Sequence, residues 1–144
     1  MIRIPYYETS HFVFSNFSPH SVKRDGVVYP TAEHAYHAAK FDDEKIKDEI
    51  RQAGSPLEAY DLGKKYKAQR KPNWDEIKVN ELYNIVKEKT TQHQEVKSAL
   101  LATGTEEIVE ENPNDDFWGS GQDGNGQNHM GKIIMKIRNE VKSQ

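Results

Sequence analysis

Residues 29–41, YPTAEHAYHAAKF, gather a carboxylate, two imidazoles, an ammonium and three aromatic rings into about three helical turns. At about 100° per residue, Glu33, Tyr36, His37 and Lys40 share one face of a helix, and Ala35, Ala38 and Ala39 take the other. Two kinds of environment suit that face. In solvent, Glu33 would favour the helix dipole and pair with His37 at i,i+4, while Lys40 snorkels at the C-terminal end. In a cleft, Glu33 becomes an acid, a base or an electrostatic stabiliser, and Lys40 an anion binder or a nucleophile. A metalloprotease-like metal site fits poorly: His34 and His37 stand i,i+3, whereas HExxH needs i,i+4 with the glutamate between.

A second chemistry-bearing stretch is DDFWGSGQDGNGQNHMGK, beginning at Asp115. Gly119, Gly121, Gly124 and Gly126 would let a backbone wrap closely around a ligand. Asn128 is placed to cap the following helix, whose free N–H groups would then seat a phosphate. Neither a Walker loop nor a Rossmann fingerprint is present. Phe117 and Trp118 beside Asp115 and Asp116 suggest a wall for a base or a ribose. Asn16 between Phe14 and Phe17, and Trp74 after RKPN, complete the set; each taken singly reads better as core or turn.

The elements that must position these groups follow from local signals. The β-prone runs IRIPYYE and HFVFSNFS open the chain, and Asp25-Gly26 between valines marks a hairpin. Pro30 ends the strand and Thr31 caps a helix. Asp42 or Asp43 starts another that stops by Gly54, and Ser55, Pro56 and Glu58 open a third with a capping box. The stretch NWDEIKVNELYNIVKEKTTQ predicts a long amphipathic helix through Ile77, Leu82 and Val86. HQEVKSALLAT predicts a shorter helix, EEIVEE a short strand or a turn, and GKIIMKIRNEVK a final helix. Strand signals are few and clustered, so the expected class is α+β, predominantly α, in a single domain over residues 1–144.

Composition narrows the function. The 144 residues carry a net charge of −3, which calls for no polyanionic partner. Cysteine is absent, so disulfides, thiolate metal sites and cysteine nucleophiles are excluded. Hydrophobic residues make up only 35%, yet seven Tyr, five Phe and two Trp can carry core burial and argue against disorder. MIRIPYYETS has no apolar stretch of signal-peptide length, so a cytoplasmic protein with no membrane partner is expected.

In combination these motifs are specific. FSNF at Phe14, YPTAEH with KF from Tyr29, RKxNW from Arg70, LxxTG from Leu100 and the long DxxWGxGxxGxGxNxxG pattern from Asp115 resemble the NADAR domain family of YbiA-like N-glycosidases. The resemblance runs in order along nearly the whole chain. It implies a compact, mainly helical fold and hydrolysis of an N-glycosidic bond to ribose 5-phosphate or ADP-ribose, in riboflavin-pathway intermediates or ADP-ribosylated guanine. Glu33, Asp115, Lys40 and Trp74 match the positions implied to be catalytic. Asn16, Phe17, His34, His37, Trp118, Gly119, Gly121 and Asn128 match the substrate-binding surroundings. His37 stands where many members have glutamine, and Pro72 enlarges the spacing before Trp74. No metal or other cofactor is expected. The partner would be a small ribose phosphate or ADP-ribose, or an ADP-ribosylated nucleic acid. A non-catalytic module binding ADP-ribose, a hydrolase using a metal on His34 and His37, and a plain structural domain are the rival readings.

Overall fold

The computed structural model describes residues 1–5 and 10–144. In chain order the elements are β1 (Ile2–Ile4), β2 (Val22–Arg24), β3 (Val27–Tyr29), α1 (Ala32–Ala39), α2 (Glu44–Arg51), α3 (Pro56–Lys65), α4 (Trp74–Gln92), α5 (Gln94–Ala102), β4 (Ile108–Glu110) and α6 (His129–Lys142). The class is α+β with helix predominant. Two compact units are present: Asn16–Gln92 in one, Met1–Ser15 with His93–Gln144 in the other. Among the described residues no helix is long and apolar enough to cross a membrane.

In the unit Asn16–Gln92, β2 and β3 pair antiparallel, Val22 opposite Tyr29. Asp25 at φ 51° and Gly26 at φ 80° make the tight turn, two left-handed positions that an Asp-Gly pair tolerates. Thr31 caps α1 by accepting from the His34 backbone N–H. Asp43 caps α2, and Ser55 caps α3 with Pro56 following. Glu58 reaches back as the box predicts but accepts from the Gly54 N–H at 2.8 Å, one residue before the cap. The stripe of α4 buries Trp74, Leu82, Ile85 and Val86, and then Lys89 and Thr90. Arg24 joins the hairpin to this helix, its Nε donating to both carboxylate oxygens of Glu88 at 3.0 Å.

α1 packs against α2, α3 and α4. All eight of its residues are buried, so its polar face does not look into open solvent. The alanines allow close approach on one side, and α3 covers part of the other.

In the second unit, β1 and β4 form a parallel pair with Ile2 opposite Ile108. Arg138 of α6 is buried and its Nη1 donates to Thr103 Oγ1 at 3.0 Å and to the Glu106 carbonyl at 2.7 Å, fixing the approach to β4. The run HFVFSNFS is not extended. Phe12–Phe14 form a single 3-10 turn, because the Phe14 and Ser15 N–H groups find carbonyls three residues back and this buries Phe14. Of the run IRIPYYE, Ile2–Ile4 form the strand, and residues 6–9 lie outside the described residues.

Candidate active site

In the unit Asn16–Gln92, α1 positions the central groups. Glu33 is 8% exposed, and its backbone N–H donates to the Asn16 carbonyl at 3.0 Å, which brings Asn16 to the first turn of α1. Its Oε2 lies 3.1 Å from His37 Nε2, one helical turn on. An ionised carboxylate only accepts, so a hydrogen bond to it needs the proton on Nε2. Isolated in an apolar interior, such a carboxylate would be expensive; the imidazole donor offsets part of that cost.

His37 is itself 3% exposed. Its Nδ1 has no hydrogen-bond partner among the described residues and faces Gly63 of α3, where a Cβ would come within 2.6 Å of it. The rings of Tyr36 and Tyr60 meet the imidazole edge-on, with centroids 5.2 and 5.5 Å away.

Lys40 follows α1 as its C-terminal cap. Its Nζ sits 5.2 Å from the centroid of Tyr36. Burial pushes the ammonium down to about 8; Glu33 opposes this, while Arg70, Lys78 and Lys67 reinforce it. Arg70 and Lys78 both reach Asp75, at 3.3 and 3.4 Å. Lys40 is therefore half-buried between one carboxylate and several cations.

Two of the residues that the resemblance implies are enclosed by protein partners. His34 is 1% exposed, its Nδ1 pairs with Thr31 Oγ1 at 2.8 Å, and its Nε2 donates to the Ala53 carbonyl at 3.0 Å. It braces the start of α1 against the end of α2. Trp74, which matches a position implied to be catalytic, is 2% exposed and meets Tyr36 at 5.4 Å between centroids. It backs the ring that carries Lys40. Phe17 is half-buried. The partners that sequence reasoning missed are Tyr60 and Gly63, and Arg70 entered it only as part of a motif. Only Gly63 carried a signal, since a glycine inside a helical pattern usually marks close packing.

In the other unit, Asp115 Oδ1 accepts from the backbone N–H groups of Phe117 at 3.0 Å and Trp118 at 2.8 Å, making an Asx turn. The Phe117 ring lies 4.8 Å from Trp118 and 4.4 Å from His129, so three aromatic rings form one half-buried cluster.

The glycine segment wraps around itself. A Cβ on Gly119 would meet the Glu110 carbonyl at 2.8 Å, and one on Gly126 would strike the carbonyl of Gly119. Gly121 adopts φ +70°, and its N–H donates to the Asn112 and Asp115 carbonyls at 3.0 and 3.1 Å. These glycines permit backbone-to-backbone packing within the segment.

Asn128 is the residue before α6 but does not cap it. With φ 53° its side chain turns back to β4, where Nδ2 donates to the Ile108 carbonyl at 2.9 Å and Oδ1 accepts from the Glu110 N–H at 3.0 Å. Nor is the start of α6 an open anion seat. The His129 and Met130 N–H groups donate to the Phe117 and Trp118 carbonyls at 3.1 and 3.0 Å.

Among the described residues no cluster of three or more His, Asp or Glu could hold a metal ion. His34 and His37 are engaged with different partners, so they do not form the pair that the metal-hydrolase reading needs.

A mainly helical α+β chain with a buried carboxylate held by an imidazole, beside a half-buried lysine, defines a candidate hydrolytic or group-transfer centre. The chain belongs to the NADAR domain family, whose model matches residues 5–142. It is 37% identical over 140 residues to the N-glycosidase YbiA of Escherichia coli, covering 96% of this chain and 88% of that protein. N-glycosidase Npun_R5314 of Nostoc punctiforme is 38% identical over 133 residues, covering 90% and 85% of the two chains. Riboflavin biosynthesis protein VVA0006 of Vibrio vulnificus is 36% identical over 140 residues, but this chain spans only 38% of its length. The NMR structure of E. coli YbiA matches 99% of this chain and 86% of its own, at a TM-score of 0.87 and 35% identity.

Proposed function

We infer that this chain is an N-glycosidase, and we propose that it hydrolyses the bond joining a base or amine to C1 of a ribose 5-phosphate or an ADP-ribose unit. The observation that carries the mechanism is Glu33: a buried carboxylate, pinned through one oxygen by His37 and close enough to Lys40 to stabilise its charge. Cleaving a ribosyl C–N bond builds positive charge at C1. A carboxylate already fixed in a poorly solvated site stabilises that charge without reorganising.

Lys40 takes the covalent role in this proposal. Its amine adds to C1 of the ring-opened sugar, the base leaves as an amine that takes up a proton, and water then hydrolyses the imine to release the sugar and restore the lysine. An ammonium pushed down to about 8 supports the amine role, and Arg70, Lys67 and Lys78 around it supply positive charge suited to a phosphate. Asp115 is proposed as a second carboxylate of the reaction, through the oxygen that does not hold its turn.

The names of the relatives in E. coli and Nostoc support the reaction type, and that of the Vibrio protein supports riboflavin-pathway intermediates as one substrate class. ADP-ribose and an ADP-ribosylated guanine in nucleic acid are the other two. The chemistry needs no metal, so activity is expected to survive a strong chelator. Action as a single cytoplasmic domain is proposed too, on the support of a family model that runs across both units. The test is to incubate the purified protein with each of the three substrate classes and follow release of base and sugar by mass spectrometry. Release from none of them would refute the function.

A further inference from the structure

His37 enters the preceding account as a neighbour of Glu33, and its surroundings give it a more specific task. Its imidazole is enclosed on every side that the structure describes: Tyr36 and Tyr60 edge-on at 5.2 and 5.5 Å, Glu33 Oε2 at 3.1 Å from Nε2, and Gly63 against Nδ1. Of its two nitrogens only Nε2 makes a hydrogen bond, and Nδ1 is buried without one among the described residues. α3 places a glycine in its last turn where a Cβ would lie 2.6 Å from that bare nitrogen.

Two unfavourable features are thus retained around one hydrogen bond, an unpaired buried acceptor and a helical glycine. A proton on Nδ1 would find no acceptor among the described residues, whereas a proton on Nε2 has the Glu33 carboxylate at 3.1 Å.

We propose that His37 is a positioning residue, locked by Gly63 into the Nε2–H tautomer so that it donates to Oε2 of Glu33 and aims the other carboxylate oxygen at the reacting sugar. This departs from a substrate-binding role for His37. A ring 3% exposed, with one nitrogen on Glu33 and the other against a backbone carbon, has no polar atom left to offer a ligand. The inference rests on the reading of Glu33 as the reacting carboxylate.

The test has one arm without turnover and one with it. In the first, long-range proton–nitrogen correlation spectra of the ligand-free protein read the tautomer of His37. A protonated Nε2 and a bare Nδ1 are expected, and a protonated Nδ1 would overturn the proposal whatever the activity. In the second, His37→Gln, which keeps an N–H donor, retains kcat within about fivefold, whereas His37→Phe lowers kcat about 100-fold with KM within about threefold. A His37→Phe variant that raises KM at unchanged kcat would return the residue to substrate contact and refute the positioning role. Glu33→Gln separates the two levels. If it is inactive while His37→Phe is fully active, the positioning inference alone fails; if Glu33→Gln is fully active, the reading of Glu33 fails, and the tautomer is still decided by the spectra.

Discussion

Lys40 gives the most direct test of the proposed chemistry, because its protonation sets how much nucleophile exists. A lysine in water titrates near 10.5, so at pH 7 about 0.03% of it is free amine. Half-buried beside Tyr36 and near three other cations, Lys40 titrates at about 8. At pH 7 roughly a tenth is then free amine, an enrichment of about 300-fold. Between pH 7 and pH 9 the free fraction climbs about tenfold, so kcat is expected to rise by about that factor and level off above pH 9. Lys40→Arg keeps the charge and discards the nucleophile, since a guanidinium stays protonated across this range. It is expected to lower kcat by about 1000-fold or more, and to abolish the borohydride-trapped adduct that the wild type gives with substrate. The assay is initial rate against pH for both proteins, with mass spectrometry of the reduced adduct. A kcat flat from pH 7 to pH 9, no trapped adduct and an active Lys40→Arg would together refute the covalent role and leave Lys40 as a phosphate-binding cation.

Glu33→Gln and Asp115→Asn are each expected to lower kcat by about 100-fold or more with the thermal midpoint little changed; the asparagine keeps an Oδ1 acceptor for the Phe117 and Trp118 N–H groups, so the charge is tested apart from the turn. Gly63→Ala places a methyl against His37 and is expected to cost about 1–3 kcal/mol in urea unfolding, where helix propensity alone would make alanine stabilising. Lys89 is 2% exposed, and burial pushes it down to about 7, so the folded protein releases its proton before the unfolded chain does near 10.5. Stability from this group therefore rises as pH climbs from about 7 to about 10 and is lost as pH falls back. Lys89→Met should flatten the curve by up to about 1.4 kcal/mol per pH unit, and parallel wild-type and variant curves would contradict that assignment.

Local chemistry was legible in the sequence. Asp25-Gly26, Thr31, Asp43 and Ser55 each start or turn an element through groups within three residues, and the observed hairpin and caps follow. Tertiary neighbours were not. The parallel pairing of Ile2 with Ile108 joins opposite ends of the sequence, and a three-residue strand carries no sign of its partner. Polar side chains on α1 suggested a face open to solvent or a cleft, yet Glu33, His34 and His37 lie inside, where Glu33 and His37 bond each other and His34 bonds Thr31 and the Ala53 carbonyl. No local signal sets Lys89 apart from the other lysines of α4, and only the fold shows its Nζ donating to Ser18 Oγ at 2.8 Å. The glycine segment has a related ambiguity: the positions that would let a ligand approach also let the loop approach itself.

The side chain of Asn128 also bears on the protein's behaviour in concentrated solution. Glu107 and Glu111, which flank β4, bond β1 through their backbone groups, so Ile108 and Glu110 direct theirs the other way. There the Asn128 amide bonds the Ile108 carbonyl and the Glu110 N–H as a neighbouring peptide would, and the Ser120 N–H takes the Glu110 carbonyl at 2.9 Å. The outer margin of the two-stranded sheet is thereby occupied from within the same chain. A strand left with those groups bare would invite another molecule to add a third strand, a route to edge-to-edge aggregation. Asn128 thus acts as a stop on sheet growth, and its conformation at φ 53° is the strain that this protection requires.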